Sequence, residues 1–423
     1  MDFVTQLSIV LILLMEVSCL TYLEYRAWRT IYTPLCALML PYVGVLLITI
    51  AIPADFGFVR FNYELYKDCE YAVPDLLEDT LETLDPQCNP AFRFCQAAFF
   101  LARRDERIVG RVAAIINTRA NQRWGREDVR FGWIDFIDDL EVSRALLDAV
   151  EKWGREKGMR HMVGPLGFTD MDPEGMLTDG FDQLSTLCTI YNYPYYPEHM
   201  KQLGMERETG WVERKVFIPK EGHEANNARY FRVAQMAQER YGFRLRHFSS
   251  KREIREGGYI EKMLGVINRA YADLYGYSEL DEHQMHWYAK RFLLMLDRRF
   301  LTVVENAEGE IIGVGVCMPS MSRAVQKAQG KLFPFGWRYI ARELWLKKKH
   351  QILDMLLVGV LPEYQDKGAN ALFFADLIPQ GISCGYEWAE THPQLEDNMA
   401  SQMQWKNLDC SIHKRRAVFS KSI

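Results

Sequence analysis

The chain begins with two apolar stretches separated by a short charged joint. Residues 3–23 are apolar apart from Glu16 and a few polar side chains, and residues 31–53 carry no charge. A run of about 20 apolar residues is enough to cross a bilayer, so this pattern allows a membrane hairpin. The β-branched run at residues 45–52 equally fits a buried first strand of the following domain. We favour the strand and treat residues 1–44 as an apolar extension, with a membrane segment as the alternative.

A pattern of strand, charged turn and strand occurs twice along the chain. The copies lie at residues 99–113 and 300–316, and each predicts a β-hairpin. The stretch at residues 199–218 also resembles the one at residues 403–419. Repetition at this spacing predicts two tandem domains. The turn-rich segment near residue 219 divides them into a first domain, 45–219, and a second domain, 220–423.

Apolar positions with helical spacing lie between the predicted strands. Val142, Leu146, Val150 and Trp153 are three or four residues apart, and Gly158 supplies a helix end. Helices that alternate with strands predict an α/β (α+β) fold, in which each half is a mixed twisted sheet flanked by helices.

Composition narrows the class of protein. The chain has 423 residues and a net charge of -5, which offers no general basic surface for nucleic acid. Its nine cysteines are scattered without a CxxC pair, as in a reduced cytoplasmic protein. We therefore predict a cytoplasmic protein, with membrane association through the N-terminus as the alternative.

An acidic, glycine-broken loop is a candidate for cation binding. Its side chains are Asp170, Asp172, Glu174, Asp179 and Asp182. Their spacing misses the calcium-loop pattern, and we expect no metal site here. A solvated loop, or a loop that captures a cationic amine, explains the acidic residues better.

The most informative segment is residues 356–373, where an apolar strand runs into a short polar loop and then a helix. Small side chains at Gly368, Ala369 and Ala371 let a ligand approach the backbone. Free N–H groups at the start of a helix attract phosphate. Gln365 and Lys367 add hydrogen-bond donors and one positive charge. The segment therefore predicts a phosphate-binding loop.

This loop resembles the acyl-CoA loop of the GNAT acyltransferase superfamily. That loop has Gln or Arg, two residues, Gly, one residue and Gly or Ala, following a Val-x-Pro strand end. Val360, Pro362, Gln365 and Gly368 match, whereas Asn370 stands where the family has Gly or Ala. Residues 45–423 as a whole are similar to a bacterial family of tandem GNAT-like proteins. The strings that carry this similarity lie at residues 164–172, 190–196, 332–337 and 414–416.

The resemblance implies that acetyl-CoA or another acyl-CoA is a co-substrate held by the second domain. The residues implied in binding it are Val358, Val360, Gln365, Lys367, Gly368, Ala369, Asn370, Ala371 and Asn398. Asn398 could instead be a helix N-cap. The corresponding turn of the first domain, residues 136–141, contains three acidic side chains that would repel a pyrophosphate. The first domain is therefore expected to be degenerate.

The resemblance also implies direct attack of an amine on the thioester. Glu390 is the candidate base, and its alternative is a structural ion pair with an arginine. Tyr191 and Tyr193 are candidates for the wall of the acceptor pocket or for the acid, and their alternative is packing.

The expected function is an acyl-CoA-dependent N-acyltransferase that acts on a small-molecule or lipid amine, without nucleic acid or metal. One alternative is a non-catalytic ligand-binding protein, because Asn370 departs from the pattern and no base is unmistakable. Another is a long-chain N-acyltransferase acting on a lipid amine at a membrane surface. Residues 3–53 and the basic segment at residues 337–349 motivate that alternative.

Overall fold

The structure is a computed structural model that describes residues 54–105, 107–220, 228–346 and 351–423. The described residues from 57 onward form one compact unit. The predictions for residues 1–53, whether a strand or a membrane segment, lie outside the described residues. Within the described ranges, no helix combines the length and apolarity needed to cross a bilayer.

The first half runs from helix α1 to strand β6. Its elements are α1 (Ala54–Leu65), α2 (Leu77–Leu84), β1 (Cys95–Arg104), β2 (Arg107–Asn117), α3 (Thr118–Trp124), β3 (Asp128–Phe136), α4 (Leu140–Glu156), β4 (His161–Gly164), β5 (Met176–Asp179), α5 (Tyr195–Gln202) and β6 (Glu206–Phe217). The predicted first hairpin is confirmed as β1 and β2, in which Phe99 lies opposite Ala113.

The predicted helix of the first half is confirmed as α4. The Asp139 side chain caps it by accepting a hydrogen bond from the backbone N–H of Glu141. Val142, Leu146 and Val150 are buried, as the helical spacing requires for the face that packs on the sheet.

The second half runs from helix α6 to strand β13. Its elements are α6 (Ala228–Tyr241), β7 (Arg244–Arg246), α7 (Lys251–Glu256), α8 (Tyr259–Ala270), α9 (Glu282–Met295), β8 (Leu301–Glu305), β9 (Ile311–Pro319), α10 (Ser322–Ala328), α11 (Trp337–Ala341), β10 (Ile352–Val360), α12 (Ala369–Cys384), β11 (Trp388–Thr391), β12 (Gln394–Leu395), α13 (Met399–Met403) and β13 (Cys410–Ser422). The second predicted hairpin is confirmed as β8 and β9, with Thr302 opposite Gly315.

The strands form one mixed sheet of thirteen strands within the described residues. The main path runs β1-β2-β3-β4-β13-β6-β11-β10-β9-β8-β7, and β5 and β12 pair with β13 and β6 beside it. Helices pack against this sheet in both halves. The predicted fold class, mixed sheets flanked by helices in two similar halves, is confirmed. The boundary near residue 219 stays a prediction, because both halves share the sheet.

The two halves exchange their last strands. Strand β6 ends the first half but pairs with β11, where Phe217 lies opposite Trp388. Strand β13 ends the second half but pairs with β4, where Phe419 lies opposite Gly164. The pair β6 and β13 therefore forms the middle of the sheet, and each half is completed by a strand from the other.

Buried charges tie the exchanged strands together. Glu213 on β6 contacts both Lys414 and Arg416 on β13, and Lys414 also contacts Glu390 on β11. All four side chains are buried. Burial opposes the ionisation of Glu213, but the charges of Arg416 and Lys414 outweigh it and lower the pKa of the carboxyl to about 2. Glu213 is therefore ionised at pH 7, and its buried charge has cationic partners.

A parallel strand pair that separates along its length occurs in each half. Strands β3 and β4 pair only at residues 128–130, and β10 and β11 pair only at residues 352–355. The register also shifts in the antiparallel pair beside each of these parallel pairs. In the pair of β2 and β3 the shift lies between Arg111 and Ala113 of β2. In the pair of β9 and β10 it lies between Met355 and Leu357 of β10. Beyond these points the strands diverge and leave an opening in the sheet.

Candidate active site

A cavity of about 620 Å³ lies where β10 and β11 diverge. Its walls come from β10, from helix α8, from the segment after β11 and from a loop of the first half. Strand β10 contributes Leu356 and Val358, and helix α8 contributes Met263 and Ile267. The segment after β11 contributes His392 and Asn398, and the loop of the first half contributes Asp170 and Asp172. This volume is within the range of about 300–1,000 Å³ that small-molecule sites occupy, and apolar walls with a few polar groups are typical of such sites.

The predicted phosphate-binding loop borders this cavity. Val358, Val360, Gln365 and Asn370 line it. The Gln365 side chain donates a hydrogen bond of 3.1 Å to the backbone oxygen of Val360, which ties the loop to the end of β10. Asn370 lies in the first turn of α12 rather than in the tight turn, so its side chain fits there without strain.

Gly368 turns the chain from the loop into α12. It has a φ of 80°, in the left-handed region that favours glycine. A Cβ at this position would also lie 3.1 Å from Cγ1 of Val233 on α6. No side chain of the described residues caps the N-terminus of α12. The Ala371 N–H donates a hydrogen bond of 3.0 Å to the backbone oxygen of Gly368, so the N–H groups that precede Ala371 are the ones available to a ligand.

Other predicted loop residues have different contacts. Ala369 and Ala371 are buried in the start of α12, and neither is among the residues that line the cavity. The Lys367 ammonium lies 4.7 Å from the ring centroid of Tyr364, so in this structure it contacts that ring. The Asn398 Oδ1 accepts a hydrogen bond of 3.1 Å from Ser401 N–H, as a cap of α13, and Asn398 also lines the cavity.

Glu390 lies in the ion-pair network rather than in the cavity wall. Its carboxylate contacts Lys414, and the His413 Nε2 atom is 3.1 Å away. It is not among the residues that line the cavity. These contacts fit the alternative interpretation of Glu390 as part of a structural ion pair, with a lysine in place of the expected arginine. The role of Glu390 as the general base stays a prediction.

Tyr191 and Tyr193 lie in the first half, in an aromatic cluster around Tyr66. Tyr191 donates a hydrogen bond of 3.0 Å to the backbone oxygen of Phe181, and Tyr193 donates one of 3.3 Å to that of Leu65. Tyr191 lines a different cavity, of about 430 Å³, near the divergence of β3 and β4. Packing accounts for both side chains, and their catalytic roles stay predictions.

The acidic loop contributes three carboxyl groups to the cavity: Asp170, Asp172 and Glu174. Burial raises the pKa of Asp172 to about 6, although the hydrogen bond from Thr169 N–H at 3.0 Å opposes this shift. Burial and the neighbouring Asp170 raise the pKa of Glu174 well above its usual range. The remaining two acidic residues of the loop, Asp179 and Asp182, are exposed.

His392 is a candidate that the sequence patterns did not indicate. It follows β11 directly, and its backbone N–H donates a hydrogen bond of 3.1 Å to Met355 oxygen at the last point before the strands diverge. Its Nε2 atom is shielded from solvent and has no hydrogen-bond partner among the described residues. Burial lowers the pKa of His392 to about 4, so the imidazole is neutral at pH 7. His392 follows the carboxyl end of β11, and the ends of such strands are where ligands bind in open α/β sheets.

Two proteins have sequences similar to this one over most of its length. A protein named bacterial ceramide synthase, from Caulobacter vibrioides, is 28% identical over 387 residues, which are 88% of this chain and 94% of that protein. Protein YghO from Escherichia coli is 27% identical over 319 residues, which are 73% of this chain and 76% of that protein. No protein-family profile matches the chain.

Solved structures with a similar fold include GNAT proteins. A tandem GNAT protein from the clavulanic acid biosynthesis pathway has a TM-score of 0.49 and 12% identity, and the match covers 87% of this chain and 94% of that one. A GCN5-related N-acetyltransferase from Sphaerobacter thermophilus has a TM-score of 0.41 and 10% identity, with coverage of 77% and 80%.

Proposed function

We propose that this chain is an acyl-CoA-dependent N-acyltransferase that forms an amide on a lipid amine. The observation that carries the proposal is the cavity between β10 and β11, which joins the loop before α12 to the carboxyl groups of the first half. The relative named bacterial ceramide synthase supports acyl transfer to an amine.

The loop end of the cavity suits the donor. The N–H groups that precede Ala371 at the start of α12 attract a pyrophosphate, because the start of a helix carries a partial positive charge. Val358, Val360 and Asn398 line the space beyond the loop, where the pantetheine arm would lie. Beyond Met355, no strand of the described part of the chain pairs with β10 on its β11 side. Backbone N–H groups there are candidates to polarise the thioester carbonyl.

The opposite end suits a cationic amine. The Asp172 carboxylate attracts an ammonium group, which must lose a proton before its nitrogen can attack the thioester. Asp172 and His392 are the candidate bases, because both are in their proton-accepting forms at pH 7. In the reaction the amine nitrogen bonds to the acyl carbon and the carbon–sulfur bond breaks. The proton leaves the nitrogen for the base, and the thiolate of CoA takes up a proton.

The apolar part of the cavity favours long chains over an acetyl group. Side chains of α8 and β10 supply this wall, including Ile260, Met263, Leu264, Ile267 and Leu356. An acetyl group would leave most of this surface without a partner, whereas each methylene group of a bound chain contributes about 0.8 kcal/mol on burial.

Release of free thiol tests the proposal. The full chain is mixed with acetyl-CoA or palmitoyl-CoA and with either a long-chain amino alcohol or small amines. We expect thiol release with palmitoyl-CoA and the long-chain amine to exceed all other combinations. Binding of acyl-CoA without turnover on any amine would favour the non-catalytic alternative. The absence of binding to every acyl-CoA would remove the basis of both.

A further inference from the structure

A basic surface stands out on this acidic protein. Between Pro319 and Glu343 the chain carries five cationic side chains and no acidic one, whereas its net charge is -5. The cations are Arg323, Lys327, Lys331, Arg338 and Arg342, and all are exposed. A local excess of positive charge of this kind selects an anionic partner.

Three large aromatic side chains project beside these cations. Phe333 is 61% exposed, Phe335 is 63% exposed and Trp337 is 43% exposed. The Arg338 guanidinium lies 5.4 Å from the ring centroid of Phe335. Together with Lys331, Arg338 and Arg342, the three aromatic residues form what we call the aromatic–basic surface. Exposed aromatic rings next to cations are typical of protein surfaces that lie in the headgroup region of a bilayer.

The inner side of the same segment contacts the wall of the candidate active site. Ile340 and Leu344 pack in one apolar cluster with Leu187 and Leu356. Both Leu187 and Leu356 line the cavity between β10 and β11. The segment therefore has an aromatic and basic outer side, and an inner side one layer away from the site.

We propose that the aromatic–basic surface docks the protein on an anionic lipid bilayer. The aromatic rings enter the headgroup region, and the cations face the anionic phosphates. This inference extends the proposed function, because a lipid amine or a long-chain donor then reaches the cavity from the membrane beside it. A protein partner or a second copy of the chain would be less well matched by exposed aromatic rings beside Arg338 and Arg342, in a segment without an acidic side chain.

Vesicle flotation of the full chain gives the first test. The vesicles contain phosphatidylcholine, with or without phosphatidylglycerol. The triple variant Phe333→Ser, Phe335→Ser and Trp337→Ser should lower partitioning to anionic vesicles about tenfold or more. Its control is Phe217→Ser, at an exposed phenylalanine on β6, which should change nothing.

A second variant pair tests the charge. Arg338→Gln with Arg342→Gln should lower partitioning to the anionic vesicles about fivefold for each charge removed. The control is Arg232→Gln with Arg240→Gln, which removes the same charge from exposed positions on α6. Equal losses in both pairs would overturn the proposal, because the net charge and not this surface would then govern binding.

A photo-crosslink gives a local reading that does not depend on residues 1–53. p-Benzoylphenylalanine replaces Phe335 in one protein and Phe217 in the other. A lipid adduct at position 335 and none at position 217 supports docking. If the adducts at position 335 contain protein but no lipid, or if no adduct forms there, the docking proposal is overturned. None of the three tests involves acyl transfer, so the docking surface and the proposed enzymatic activity can fail separately.

Discussion

Replacing Asp172 by asparagine should lower activity while it stabilises the fold. Burial raises the pKa of Asp172 to about 6 from the ordinary value of 3.8. A raised pKa in a folded carboxyl means that ionisation opposes folding, so stability falls as the pH rises from about 4 to 6. At about 1.36 kcal/mol per pKa unit, the ionised carboxylate costs up to about 3 kcal/mol at pH 7. Asparagine removes that charge and keeps an oxygen that can accept the Thr169 hydrogen bond.

Activity should change in the opposite direction. If Asp172 takes the proton from the amine, kcat/KM of the native protein rises with pH through about 6, because the carboxyl must be ionised to act. The loss of a general base typically costs about 10²–10⁴ in rate. Asp172→Asn should therefore lower kcat/KM by that factor and remove the step near pH 6.

Thiol release and thermal unfolding at several pH values measure both effects on the same protein. Asp182→Asn is the matched control, since Asp182 belongs to the same acidic loop but is exposed. We expect Asp172→Asn to unfold at a higher temperature than the native protein at pH 7 and at the same temperature below about pH 4. Unchanged activity in Asp172→Asn, or a loss of activity that parallels a loss of stability, would refute the reasoning.

Three further changes probe the loop, the strand exchange and the cavity. Gly368→Ala and Gly385→Ala each place a side chain at a positive φ, at the two ends of α12, and each should cost about 1–2 kcal/mol of stability. Only the former should weaken acyl-CoA binding in calorimetry. Glu213→Gln leaves the buried Arg416 without its carboxylate partner, whereas Lys414 keeps Glu390, and should cost about 3–5 kcal/mol in denaturant unfolding. The more exposed Glu396→Gln should cost less than about 1 kcal/mol. Ala270→Phe narrows the cavity and should lower kcat/KM for palmitoyl-CoA relative to acetyl-CoA; an unchanged ratio would contradict the proposed acyl path.

Local patterns along the chain predicted the elements that depend on neighbouring residues. The two hairpins follow from apolar runs on either side of polar turns, and both form in the structure. Helix α4 follows from the spacing of Val142, Leu146 and Val150. The loop before α12 follows from small residues at the end of a strand, where only Gly368 meets the need for a positive φ. In each case the information lies within about 20 residues.

Long-range placement could not be predicted in the same way. Nothing in the sequence of β6 distinguishes pairing with β4 from pairing with β11, so the strand exchange was missed. Glu390 and His392 are two residues apart in the sequence, and the end of β11 lies between them. As a result, Glu390 lies in the ion-pair network and His392 lies at the cavity. Tyr191 and Tyr193 are candidates for the acceptor pocket with packing as the alternative, and only the fold shows that they lie in an aromatic cluster of the first half. The contribution of Asp172 to the cavity likewise depends on contacts between the halves.

The position of β13 within the sheet bears on the order in which the protein is made and folded. During synthesis, strand β4 emerges from the ribosome more than two hundred residues before its neighbour at residues 410–422. Until that neighbour arrives, β4 has one open edge, which is a site for unwanted pairing with other chains. The first half can therefore reach its final state only after residues 410–422 have been made. A nonsense mutation that removes residues 410–422 would damage the half of the molecule that was made first.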